Sequence, residues 1–255
     1  MLYALLPQVL FSGRLTMTKR FLVFQHMSWE GPGVHLLRSA AKLKVNLEVV
    51  QVWHQPIPDP ASSDGLLVLG GSPNVDQEQE YPFLAAEKAA IRRIIETGRL
   101  YLGFCLGHQL LADVLGIKVG PNPRRSVGFI EGQLTPNGRQ HPLFQNLPSS
   151  LSLFKWHGQA VLQPVPKHVE VLVTSPDCQV EAISLKEKPH IVGLQFDNHA
   201  GSRADAATWL EGDRDWLAKP PQVNPAAVLA DASKLESLMG RQFEMLFENF
   251  INIQP

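Results

Sequence analysis

The residues best placed to do chemistry lie in Gly103-Phe104-Cys105-Leu106-Gly107-His108-Gln109. A cysteine stands two residues from a glycine on either side. The apolar run Leu100-Tyr101-Leu102 leads into it, and apolar residues recur at helical spacing from Leu106 to a glycine at 116. This spacing predicts a strand, a sharp turn and a helix, the cysteine counterpart of the Gly-x-Ser-x-Gly nucleophile elbow. Gly103 and Gly107 clear room for a turn that lifts Cys105 above the sheet edge in a strained backbone conformation. A helix starting just behind the sulfur aims its free N–H groups and positive dipole end at it, which favours thiolate. The backbone N–H of Leu106 then faces an oxyanion on the attacked carbonyl. The plainer alternative is a buried cysteine packed as an inert small hydrophobe; the strand–turn–helix context favours the nucleophile.

A second oxyanion donor is expected from Leu66-Leu67-Val68-Leu69, a strand that runs into Gly70-Gly71-Ser72-Pro73. Two glycines at a strand end let backbone N–H groups turn toward a ligand, and Gly71 is the natural donor beside the elbow. His26 and His54 follow strands without ligand-like neighbours and read as ordinary, partly buried histidines; no histidine pair has metal-ligand spacing, so neither metal nor organic cofactor is expected. Cys178 sits in a turn-like Ser175-Pro176-Asp177-Cys178 and carries no motif. Arg124-Arg125 reads as a solvated basic pair.

The elements that position these residues alternate. Residues 21–26, 47–53, 66–69 and the run into Gly103 read as strands, and 34–43, 81–97 and 106–115 as helices joined by short links. That pattern implies an α/β fold: a flavodoxin-like, mostly parallel sheet flanked by helices, with ligands at the strand carboxyl ends. Beyond Gly116 the texture changes to strand-like runs at 117–119, 128–134, 151–156, 169–174 and 180–185, broken by proline-rich turns, which read as a smaller mixed or antiparallel extension, while 189–196 reads as the last core strand. A helix is expected over 204–217. Another is expected from Asn224, as N-cap, and Pro225 to about Phe250, with an apolar stripe suited to the core or to a homodimer contact. Residues 1–19 are expected to be an N-terminal extension and 20–255 a single domain.

The chain has 255 residues and 44% hydrophobic content, enough for a large core. Lys+Arg 23 against Asp+Glu 24 leaves a net charge of −1, with no basic excess for nucleic acid. No apolar run reaches the length of a membrane span. Two cysteines give no disulfide framework, which suits a reducing, cytoplasmic setting.

Gly-Phe-Cys-Leu-Gly-His-Gln, with Gly70-Gly71 and Gly193-Leu194-Gln195-Phe196, resembles the motifs of class I (triad-type) glutamine amidotransferases, in particular the stand-alone GMP-synthase-type amidotransferase domain. The resemblance covers most of residues 20–200. It implies hydrolysis of a glutamine or γ-glutamyl amide through a Cys105 thioester, with Leu106 and Gly71 holding the oxyanion and Gln109 facing the substrate. It also implies a substrate-holding segment near Ser126 and, as partner, a separate ammonia-acceptor protein. Trp156-His157-Gly158-Gln159 resembles the family's Trp-His-Gly-Asp, with His157 suited to packing or substrate shaping. The family's last strand ends in Gly-x-Gln-Phe-His-Pro-Glu. Here Asp197-Asn198-His199 follows Phe196, so Asp197 takes the place of the histidine base and His199 that of the glutamate which orients it. Either His199 swings to Cys105 with Asp197 orienting it, or the thiol lacks its base. The alternatives to an amidotransferase are a γ-glutamyl peptidase, another small cysteine hydrolase, or a degenerate binding or regulatory subunit.

Overall fold

The computed structural model describes residues 18–255, so all but the last two residues of the expected extension at 1–19 lie outside the described residues. Chain order is β1 (Arg20–Gln25), α1 (Val34–Leu43), β2 (Asn46–Gln51), β3 (Gly65–Val68), α2 (Phe83–Thr97), β4 (Leu100–Phe104) and α3 (Leu106–Val114). Then come β5 (Val119–Leu134), α4 (Pro136–Gln140), β6 (Ser150–Val161), β7 (Val169–Thr174), β8 (Ala182–Leu185), β9 (Lys188–Leu194), α5 (Arg203–Gly212), α6 (Arg214–Leu217) and α7 (Pro225–Asn252).

One nine-stranded sheet runs in the order β2-β1-β3-β4-β9-β8-β7-β5-β6. The first five strands are parallel neighbours, and every pairing from β9 to β6 is antiparallel. The fold is therefore α/β, but the sheet is mixed. The expectation of a mostly parallel sheet with a small extension is corrected, because the antiparallel half adds four strands to five. The runs at 117–119 and 128–134 belong largely to one strand, β5, whose pairing with β6 shifts register between Pro121 and Ser126. Prolines that look like turn signals in the sequence lie at this irregularity, where no ladder bond is required of them.

Period-2 alternation along the strands builds a core on each face. Phe21, Val23, Leu102, Phe104 and Val192 point to one side, where α1 and α7 cover them with Leu36, Phe243, Phe247 and Phe250. Leu22, Phe24, Leu66, Val68 and Tyr101 point to the other, against Leu84, Ile91 and Ile94 of α2 and Leu106, Leu110 and Leu111 of α3. α7 starts as expected, with Asn224 Oδ1 accepting from the N–H groups of Ala226 and Ala227 and Pro225 in the first turn. The helix expected at 204–217 is two helices meeting at Asp213. Arg125 is not merely solvated: it lies over the Trp216 ring at 4.9 Å and donates to the carbonyls of Trp216, Lys219 and Pro221, tying β5 to the chain beyond α6. Arg124 pairs with Asp177 at 3.2 Å.

The helix that carries the site is set by contact between glycine and backbone. A Cβ on Gly107 would lie 2.3 Å from the Val68 carbonyl oxygen, and one on Gly103 2.5 Å from the Gly107 carbonyl carbon. Alanine in a helix interior ordinarily stabilises over glycine by about 0.5–1 kcal/mol. Here Gly107→Ala is expected instead to lower stability, by about 1–3 kcal/mol as for other overpacked sites. Urea denaturation reads this directly, and an unchanged or raised midpoint would contradict the close packing of α3 on β3.

Candidate active site

β4 ends in Phe104, and the next residue turns sharply. Cys105 has φ 45 and ψ −100, and α3 begins at Leu106. Its own N–H donates to Leu194 O at 2.8 Å, so β9 holds the turn from one side, and Gly107 N–H reaches Leu69 O at 3.3 Å on the other. A positive φ in a non-glycine residue is costly and is sustained only by such surroundings. The elbow expected from Gly-x-Cys-x-Gly is present.

Cys105 opens into a cavity of about 410 Å³ at the carboxyl ends of the parallel strands, a volume suited to a small molecule. Gly71, Gln109, His157 and Gln159 line it too, as do Glu30, Tyr81, Trp156, Asp213 and Trp216. Gly71 packs against Leu106, whose Cδ2 would lie 3.1 Å from a Cβ placed on it, so the two expected oxyanion donors are neighbours. The loop bearing Gly71 is pinned by His26, whose Nδ1 meets Gly70 O at 2.8 Å and whose Nε2 meets Glu87 Oε1 at 2.9 Å. Carbonyl and carboxylate partners make both ring nitrogens donors. Burial opposes charge on this imidazole, but Glu87 and the Gly70 carbonyl outweigh it and raise the pKa. The signal was a glutamate on the inner face of α2, one turn from Leu84 and Ile91.

Gln109 Nε2 donates to Gln159 O at 3.1 Å and to Gln195 Oε1 at 3.3 Å. His157 Nδ1 lies 2.8 Å from the same Gln159 carbonyl, so it carries the proton and leaves Nε2 bare; burial and nearby Lys155 hold the ring neutral. Ser126 does not reach the cavity: its hydroxyl lies 3.5 Å from Asp177 Oδ2.

His199 is not brought to the sulfur. Asn198 accepts from Phe154 N–H and donates to Ser152 O, each at 2.8 Å, and Asp197 N–H donates to Phe154 O at 2.8 Å. Pinned this way on β6, the loop turns the His199 ring into the aromatic core, 4.3 Å from the Phe104 ring and 6.3 Å from that of Trp209. Neither ring nitrogen has a hydrogen-bond partner, and burial pushes the pKa down to about 3. The expectation of His199 as a swung base is corrected: its surroundings are apolar, and it is absent from the cavity wall.

Asp197 lies beside Cys105 without lining the cavity itself. It is wholly buried, and both carboxylate oxygens lack hydrogen-bond partners. Burial raises its pKa well above the ordinary carboxylate value, with Lys155 only partly opposing. Burial likewise pushes the Cys105 thiol well up, aided by Asp197 and Glu30 and opposed by Lys155 and the Leu106 N–H. These surroundings favour the neutral thiol over the expected thiolate, with Sγ 3.8 Å from Trp156 O. One helix terminus, worth about 0.3–1 kcal/mol at an exposed site, does not offset burial beside two carboxyl groups. Glu30 and Asp213 were missed in the sequence, where nothing marks them. Glu30 lies in the loop after β1 and Asp213 at the junction of α5 and α6, and only the fold brings them together. Trp156 Nε1 donates to Asp213 Oδ2 at 2.8 Å. Among the described residues no group of three or more His, Cys, Asp or Glu side chains is arranged to hold a metal ion.

Residues 34–206 match the family described as glutamine amidotransferase class-I. The chain is 29% identical over 158 residues to a glutamine amidotransferase-like protein, YfeJ, of Salmonella typhimurium, covering 60% of this chain and 65% of that one. It is 31% identical over 130 residues to a subunit of the glutamine-hydrolyzing GMP synthase of Methanocaldococcus jannaschii, covering 51% and 62%. Less than two thirds of either relative is thus spanned. A glutamine amidotransferase from Thermotoga maritima superposes with a TM-score of 0.80 at 23% identity, over 92% of this chain and 99% of that chain, a likeness of fold.

A buried carboxyl group whose pKa is raised on folding stabilises the folded state fully below its unfolded value, about 3.9 for aspartate, and loses that contribution as pH rises through the folded value. Asp197→Asn is therefore expected to be more stable than the parent at neutral pH, with the advantage shrinking as pH falls toward 4 (about the unfolded value). Thermal melts across pH check this; parallel curves for the two proteins would show that Asp197 carries no raised pKa.

Proposed function

The chain belongs to the class-I glutamine amidotransferase family, and we propose that it hydrolyses the side-chain amide of glutamine or of a related γ-glutamyl compound through a thioester on Cys105. The observation that carries this reading is the backbone of Cys105, φ 45 at the end of β4 with a helix starting immediately behind it, on the wall of a cavity shared with Gly71 and Gln109. Such a turn is costly, and the nearness of Gly71 to Leu106 beside it supports a reading in which backbone N–H groups of neighbouring strand ends serve the sulfur. In the proposed reaction the sulfur attacks the carboxamide carbon, Leu106 and Gly71 N–H groups receive the oxyanion, and ammonia leaves. Water then cleaves the thioester. Gln109, fixed by Gln159 and Gln195, orients the amide.

Relatives named as subunits of a glutamine-hydrolyzing GMP synthase support a division of labour in which ammonia passes to a separate acceptor protein. Among the described residues no helix is long and apolar enough to cross a membrane. Both cysteines are free, which fits a cytoplasmic setting. A second reading, carboxamide binding without turnover, is favoured by the packing of His199 against Phe104, which leaves the thiol without that imidazole.

Ammonia release from glutamine and from γ-glutamyl peptides by the purified protein separates these readings. Release from glutamine is expected, and Cys105→Ser is expected to abolish it while leaving the thermal melt nearly unchanged. Gly71→Ala, whose Cβ would lie 2.7 Å from His26 Cβ, displaces the donor loop and is expected to lower kcat by about a hundredfold, the usual cost of one oxyanion donor. No release from either substrate class would leave the binding reading; turnover surviving in Cys105→Ser would move the nucleophile elsewhere.

A further inference from the structure

The bare face of Gly70 is where three groups from different parts of the chain meet. A Cβ placed there would lie 3.0 Å from Glu30 Oε2, 3.4 Å from Asp197 Oδ1 and 3.5 Å from Cys105 Cβ. Glu30 comes from the loop after β1 and Asp197 from the end of β9; Asp197 is fully buried at 0% exposure, and Glu30, on the cavity wall, is nearly so at 5%. The two cations nearest them are already committed: Lys155 to Glu181, and His26 to Glu87 and the Gly70 carbonyl. Two such carboxyl groups without a free cation disfavour double ionisation, so the pair as a whole tends to keep one proton.

We propose that Glu30 and Asp197, coupled through space around the bare face of Gly70, carry a single proton as a pair and serve together as the proton carrier for Cys105. This rests on the hydrolytic reading above and supplies the base that His199 does not. At rest the pair holds one proton and the thiol another. As the S–C bond forms and the carbonyl electrons move onto oxygen, the thiol proton passes to the ionised member of the pair. The pair, now carrying two protons, gives one to the amide nitrogen as the C–N bond breaks and its electrons leave with ammonia. Water then attacks the thioester and yields a proton to the pair. The C–S bond breaks, and the departing thiolate takes that proton back. One amide and one water become one carboxylic acid and one ammonia; cysteine and pair return unchanged. The remaining ionisable groups facing the pair are Asp213, Lys155 and His26. Asp213 disfavours full ionisation of Glu30, whereas Lys155 and His26 favour one charged member.

The test combines kinetics with infrared titration of the full chain. In the parent protein kcat/KM for glutamine is expected to be bell-shaped in pH, bounded by the two titrations of the pair. Glu30→Gln and Asp197→Asn are each expected to lower kcat by at least about a hundredfold, the scale of lost acid–base catalysis, with KM changing little. In the infrared spectrum the C=O stretch of a protonated carboxyl group, identified by its shift in D2O, is expected to disappear at lower pH in Glu30→Gln than in the parent, because removing one carboxylate relieves the other. An unshifted disappearance would overturn proton sharing whether or not the protein turns over. Full kcat in Glu30→Gln would overturn the carrier role while leaving the hydrolytic reading in place. No ammonia release from the parent, with the shift observed, would keep the shared proton and overturn both the carrier role and hydrolysis.

Discussion

The site depends on a backbone conformation that the rest of the sheet enforces. Cys105 sits at φ 45, and it stays there because its N–H is taken by Leu194 O while α3 is pressed onto β3 at Gly107. Neither contact tolerates a side chain between the glycines, since Gly103 faces Gly107 and Gly107 faces the Val68 carbonyl. Tyr101 adds a hydroxyl bond to Gly107 O at 2.8 Å from within the core. The order β3-β4-β9 therefore does more than bury apolar area. It sets the Gly70–Gly71 loop, Cys105 and the Asp197 loop on three adjacent strand ends, as open α/β sheets place ligand-facing loops at their carboxyl edge.

What those three strand ends deliver is electrostatically unusual for a cysteine site. A reactive thiolate ordinarily has a cation or imidazolium beside it. Here the neighbours are Asp197 and Glu30, and burial of all three groups favours the neutral form of each. Lys155 is close enough to oppose this but is fully buried in its pair with Glu181. These surroundings favour deprotonation of the thiol during attack over a resting thiolate, and the proposed carboxyl pair, able to accept and return a proton, fits that order of events.

Much of this was legible in the sequence. The apolar runs of β1, β3 and β4 alternate faces as a buried parallel strand must, and Asn224-Pro225 marks the start of α7 through cap chemistry that is local. The elbow was legible for the same reason, since glycine, cysteine and glycine act within one turn. The mixed sheet was harder, because β5 passes through Pro121 and Pro123 at a register shift and so resembles two strands separated by a turn. The direction of His199 was not legible. It is decided by the side chain of Asn198 bonding two backbone groups of β6, more than forty residues away in the chain. Glu30 and Asp213 are unmarked in the sequence because acids are common in loops and on helix surfaces, and their burial is a property of the assembled fold alone.

The central claim is that Cys105, held at this turn, attacks a γ-glutamyl carboxamide. The most direct measurement is mass spectrometry of the intact protein quenched in acid during incubation with glutamine, followed by peptide mapping. The account predicts a covalent glutamyl adduct, with loss of ammonia, on the peptide containing Cys105 and none on that containing Cys178, whose thiol burial pushes to about 11. No adduct under these conditions, or an adduct confined to another residue, would contradict it.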